Sequence, residues 1–161
     1  MSERRRIEQA GSTRVPLAAA VLGGLGLAPP AIALLVRLLA AGSDDQGLPG
    51  FALVMGLSYI AIILSFLGGL WWGLAARDGG SGRGGWYGLA VVPSLWAFAV
   101  QGLSGWAPRG AALMLALGLV ASLLVDRRLV RDGLAPRWWL RLRVPLSCGL
   151  AALTVALAAL L

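Results

Sequence analysis

Long uncharged apolar stretches alternate with short polar ones along this chain. No charged residue occurs between Gly47 and Ala76, between Gly84 and Pro108, or between Val144 and Leu161. Runs of that length read as helices that cross a lipid bilayer, because about 20 apolar residues at about 1.5 Å each span a hydrocarbon core of roughly 30 Å. The pattern predicts spans at about 15–41, 50–76, 86–106, 110–125 and 144–161. The expected fold is an all-α membrane protein, one bundle of about five transmembrane helices behind a basic tail at residues 1–14.

Local signals refine this picture. Arg4, Arg5, Arg6 and Arg14 precede the first span, and Ala31 and Ala33 would suit signal-peptide cleavage. The apolar run of about 27 residues exceeds the roughly 7 to 15 of a signal core and favours an uncleaved anchor. Pro29 and Pro30 predict a kink or break within it. Arg37 is expected to reach toward Asp44 and Asp45 in the following loop. The glycine-rich linker at 77–85 lacks the lysine and spacing of a phosphate-binding loop and reads as a connector. The fourth span, sixteen residues, reaches only about 24 Å, so a re-entrant hairpin competes with a full crossing.

Charge then sets an orientation. The net charge is +7, with no histidine and with arginine as the sole basic residue type, a bias that a G- and C-rich genome produces without functional pressure. With the N-terminus inside and the C-terminus outside, twelve arginines fall on the inner side and only Arg37 and Arg109 on the outer, as the positive-inside rule requires. That puts the N-terminus on the cytoplasmic or matrix side, and the expected location is a cell inner, or cytoplasmic, membrane. Membrane topology accounts for the arginines, so no nucleic-acid partner is expected. Trp71, Trp72, Trp86, Tyr87, Trp138 and Trp139 fall near the inner interface and Trp106 near the outer, as an aromatic belt.

Composition narrows the chemistry. Without histidine or lysine, imidazole catalysis and a lysine Schiff base are excluded, and a single cysteine, Cys148, leaves no disulfide and no multi-cysteine zinc site. Cys148 reads as a small buried hydrophobe. The methionines at positions 1, 55 and 114 offer little for haem ligation. Asp44, Asp45, Asp78, Asp126 and Asp132 all read as loop or span-end residues, so no buried acid is expected to mark a proton path. The expectation is a protein that is not an enzyme, with no cofactor and no metal.

Two regions stand out. In the second span Ala61, Ser65, Gly69 and Gly73 recur every four residues, a small-residue face on which another helix packs closely. The third span carries Pro93, Ser94 and Trp96, and Ser65 and Trp96 both lie roughly 15 to 18 Å from the inner boundary. Tyr59, Ser65, Gly68, Gly69, Pro93, Ser94, Trp96 and Gln101 are therefore the candidate lining of one interhelical polar seam. The second region is the inner segment 126–143, in which Arg127, Arg128, Arg131, Arg137, Trp138, Trp139, Arg141 and Arg143 suit contact with anionic lipid headgroups.

Leu64 to Ala75, Val92-Pro93-Ser94-Leu95-Trp96 and Pro136 to Arg143 resemble the family called domain of unknown function 3429, the transmembrane protein 69-like small multi-pass membrane proteins. The resemblance extends over most of the chain from the first span onward. It implies a small multi-pass protein of bacterial inner or mitochondrial membranes and brings no activity with it. That family often has a basic residue before the last Trp-Gly, where this chain has Trp71, so no anion or proton role carries over to that position.

Two functions compete. One is a non-enzymatic membrane protein that binds a lipid or quinone, or assembles and stabilises a membrane complex, with membrane lipids, other membrane proteins or further copies of itself as partners. The other is a small-solute transporter or channel subunit, acting as an oligomer, with Tyr59, Ser65, Ser94 and Gln101 along its path. An intramembrane enzyme using serine or tyrosine ranks below both, because no base is placed to activate either.

Overall fold

In a computed structural model of the chain the described residues are 14–42, 47–77 and 84–161. Arg4, Arg5, Arg6, Asp44, Asp45, Asp78 and Arg83 lie outside them. The described chain forms six helices: α1 (Leu17–Leu25), α2 (Ala28–Leu39), α3 (Gly47–Ala76), α4 (Gly84–Leu103), α5 (Pro108–Arg131) and α6 (Trp139–Ala159). With α1 and α2 counted as one stretch, five are long and apolar enough to cross a membrane. Leu17, Ile32, Leu39, Phe51, Ile62, Phe98 and Leu124 are all more than half exposed, so the outside of the bundle is a lipid-facing surface and the protein is a multi-pass membrane protein.

Sequence chemistry sets where the helices stop. Pro29 and Pro30 cannot donate to the carbonyls of Leu25 and Gly26, and the first stretch breaks at Gly26 and Leu27, with the prolines at the start of α2. α5 ends on Gly133, whose φ of +71° suits glycine. There the Leu134 N–H reaches the Leu129 carbonyl at 2.9 Å and the Gly133 N–H the Val130 carbonyl at 3.2 Å. Leu129 and Leu134 are both buried, completing a Schellman turn with its hydrophobic contact.

Side-chain pairings show how the helices run. Ser58 meets Gln101 and Ser65 meets Ser94, so numbering rises along α3 as it falls along α4, and the two are antiparallel. Asp126 near the end of α5 meets Arg143 near the start of α6. Arg37, near the end of α2, donates from Nη2 to the Leu160 carbonyl at 2.6 Å, which ties the far ends of α2 and α6 together. α3 occupies the middle, in contact with α2, α4, α5 and α6, while α1 packs on α6.

Several expectations are corrected. α5 is one continuous helix of 24 residues, about 36 Å long, in place of a short span with a re-entrant competitor. α6 begins at Trp139, and Pro145 lies inside it. The expected arginine-rich loop therefore contracts to residues 132–138, and Arg127, Arg128, Arg131, Arg141 and Arg143 stand on helices. Cys148 is exposed rather than buried. The small-residue face also turns. A step of four residues overshoots a helical turn by about 40°, so Gly73 is rotated about 120° from Ala61. Ala61 and Gly68 are buried, whereas Gly69 and Gly73 are exposed and have open space where a Cβ would stand.

Candidate functional site

The α3–α4 interface holds part of the expected seam. Ser65 Oγ and Ser94 Oγ are 2.9 Å apart and half-buried. Toward the opposite end from the arginines, Gln101 Nε2 donates to Ser58 Oγ at 3.2 Å. Toward the arginine end, a Cβ on Gly68 would collide with the Ala90 carbonyl oxygen and lie 3.5 Å from Pro93 Cδ. Glycine is thus what permits the backbones to approach here.

Other seam candidates point elsewhere. Trp96 donates its indole N–H to the Met114 carbonyl at 3.0 Å, on the side of α5. Tyr59 lines a cavity between α1, α3 and α6. Gly69 faces outward. Tyr59, Ser65, Ser94 and Gln101 therefore do not line one continuous path.

The strongest chemistry lies one interface away. Asp126 is fully buried, and its Oδ2 accepts from Arg143 Nε at 2.8 Å. Its Oδ1 accepts the indole N–H groups of Trp71 at 3.0 Å and Trp139 at 2.9 Å. Arg143 Nη2 donates to Ser122 Oγ at 3.3 Å, and Ser122 in turn donates to the Leu119 carbonyl at 2.7 Å. Side chains from α3 and α6 thus converge on one carboxylate of α5. Desolvating two charges is costly, and the full set of donors on Asp126 is what makes the burial tolerable.

This cluster overturns three expectations. Asp126 is an acid inside a helix, not at a span end. Trp71 is buried and bonded to that acid instead of resting in an interfacial belt, and Trp139 likewise turns its N–H inward. Arg143 is 6% exposed, so it is withdrawn from the headgroup-facing set. The signal was present in the spacing: Ala112, Leu115, Leu119, Ser122, Asp126 and Leu129 follow helical periodicity and are all buried. Asp126 continues a buried stripe past the point where its charge suggests an end.

The remaining arginines keep their outward placement. Arg127, Arg128, Arg131, Arg137 and Arg141 are exposed, and Trp138 is half-buried beside Trp139, with ring centroids 6.0 Å apart. Arg131 also contacts Asp132 at 3.3 Å. Arg127, Arg128 and Arg131 border a groove of about 770 Å³ whose other walls are Leu89, Ala121, Leu124, Val125, Val130 and Leu140. A second groove of about 310 Å³, between α3, α4 and α5, is almost wholly apolar. Among the described residues no group of three or more His, Cys, Asp or Glu is placed to hold a metal ion.

A helical membrane bundle cross-linked by a buried ion pair is the class that this geometry defines. Residues 15–160 match the family model described as "Protein of unknown function (DUF3429)", and the chain belongs to that family. Comparison with curated proteins and with solved structures finds no match.

Proposed function

We propose that this protein is a non-enzymatic lipid-binding component of a cell inner membrane, which holds an anionic phospholipid at its arginine-rich end and so helps to stabilise a membrane assembly. The observation that carries this reading is the groove with Arg127, Arg128 and Arg131 at its mouth and aliphatic walls along α4, α5 and α6. Such a groove suits a phosphate held by guanidinium groups above an acyl chain lying against leucine and valine. The charge asymmetry favours this end, with the N-terminus, on the cytoplasmic side and the C-terminus outside.

Native mass spectrometry of the full-length protein released from nanodiscs tests it. With mixed zwitterionic and anionic lipid, retained adducts should be anionic. The triple variant Arg127→Gln, Arg128→Gln, Arg131→Gln should lower their retention by an order of magnitude or more, on the basis of about 1 kcal/mol per arginine near the surface. Equal retention of anionic and zwitterionic lipid by the unaltered protein would reject the proposal.

A further inference from the structure

The cavity between α1, α3 and α6 lies on a different face from the arginine-mouthed groove. Its volume is about 450 Å³, and Ala19 and Gly23 of α1, Tyr59 and Leu67 of α3, and Trp139 and Arg143 of α6 are among the residues that line it. Its lining runs from Tyr59 to Leu70 along α3 and from Trp139 to Leu150 along α6. Trp71 and Trp139 meet the same carboxylate, and Tyr59 lies twelve residues before Trp71, about 18 Å farther along α3. The wall contributed by α1 is the outer one, since that helix buries no residue of its own.

Arg143 lines one end of this slot. Arg143 uses Nε for Asp126 and Nη2 for Ser122, and Nη1 makes no hydrogen bond to any described residue. Its positive charge is already neutralised by Asp126 at 2.8 Å. A carboxylate or phosphate entering here would bring an uncompensated negative charge next to Asp126 in a low-dielectric setting, at high cost. An uncharged oxygen acceptor meets the remaining N–H without that cost. Between Arg143 and Tyr59 the walls are mainly aliphatic, which suits a chain with no polar atoms.

We infer that this slot binds an uncharged, single-tailed amphiphile whose head accepts hydrogen bonds, a quinone or an acylglycerol, with the head against Arg143 and the tail directed toward Tyr59. This inference stands or falls independently of the anionic-lipid groove, which shares no lining residue with it.

Tryptophan fluorescence of the full-length protein in detergent micelles tests it, because Trp138 and Trp139 both line the slot. The probes are decylubiquinone, a brominated monoacylglycerol and a brominated fatty acid in its ionised form. One neutral probe should quench saturably and bind at least about tenfold more tightly than the fatty acid anion, and which one it is distinguishes the two heads. Ala19→Phe fills the slot from α1, and it should weaken that binding about tenfold or more. Arg143→Lys retains a cation for Asp126 but loses the guanidinium fork, and it should weaken binding of the neutral head while leaving the anion no better bound. Quenching that rises linearly with probe in both the unaltered protein and Ala19→Phe overturns the inference, as does tighter binding of the anion.

Discussion

The α3–α4 and α5–α6 interfaces solve the same problem by opposite means. Between α3 and α4 the contact is neutral: Gly68 lets the backbones approach, and Ser65 and Ser94 satisfy one another at 2.9 Å. Between α5 and α6, with Trp71 of α3 joining, the contact centres on a buried charge pair whose members each need the other. The difference lies in the cost of error. A hydroxyl that loses its partner in a helix can turn to its own backbone, as Thr154 does with the Leu150 carbonyl at 2.7 Å, whereas a guanidinium that loses its carboxylate has no such recourse.

The largest effect should therefore come from Asp126→Leu, which strands Arg143. Unfolding in mixed micelles is expected to show a loss of about 3 to 5 kcal/mol, with most of it recovered in the double variant Asp126→Leu, Arg143→Met. A double variant no more stable than the single one would show that the pair is not coupled. Next, Gly68→Ala places a methyl group against the Ala90 carbonyl, a backbone atom that moves only with its helix, and should cost about 1 to 3 kcal/mol. Its control is Gly69→Ala, which meets nothing within 4 Å and should be neutral or stabilising by up to about 1 kcal/mol. The same unfolding assay compares them, and equal losses at both positions would refute the packing register.

Trp71→Phe and Trp139→Phe each remove one donor from Asp126 while keeping an aromatic ring. About 1.5 to 3 kcal/mol is expected for each, the range of a hydrogen bond to a charged group, and an indole N–H resonance that does not respond to Asp126→Asn in NMR spectra would argue against these hydrogen bonds. The smallest effect belongs to Ser65→Ala, at about 0.6 kcal/mol. A loss as large as that of Asp126→Leu would erase the contrast between the two interfaces.

Much of this molecule is legible in the order of its residues. The five apolar stretches, the break near Pro29 and Pro30 and the depth match of Ser65 with the third span all follow from helical geometry and the poor solvation of charge by lipid. Pairing of Ser65 with Ser94, in contrast with Trp96, depends on helix rotation, which depth alone does not specify. The ends of α5 and α6 misled because arginine and aspartate normally mark a boundary, yet Asp126 and Arg143 cancel one another inside the bundle and both helices run on past the expected limits.

The sequence by itself determined the medium, the number of apolar stretches and the asymmetry of charge, because hydrophobicity, span length and arginine placement are properties of local segments. Only the tertiary structure decided that Trp71, Asp126, Trp139 and Arg143 meet. Their contact depends on how three helices are rotated about their own axes, and that rotation is set by the combined packing of all the neighbours, not by any one segment.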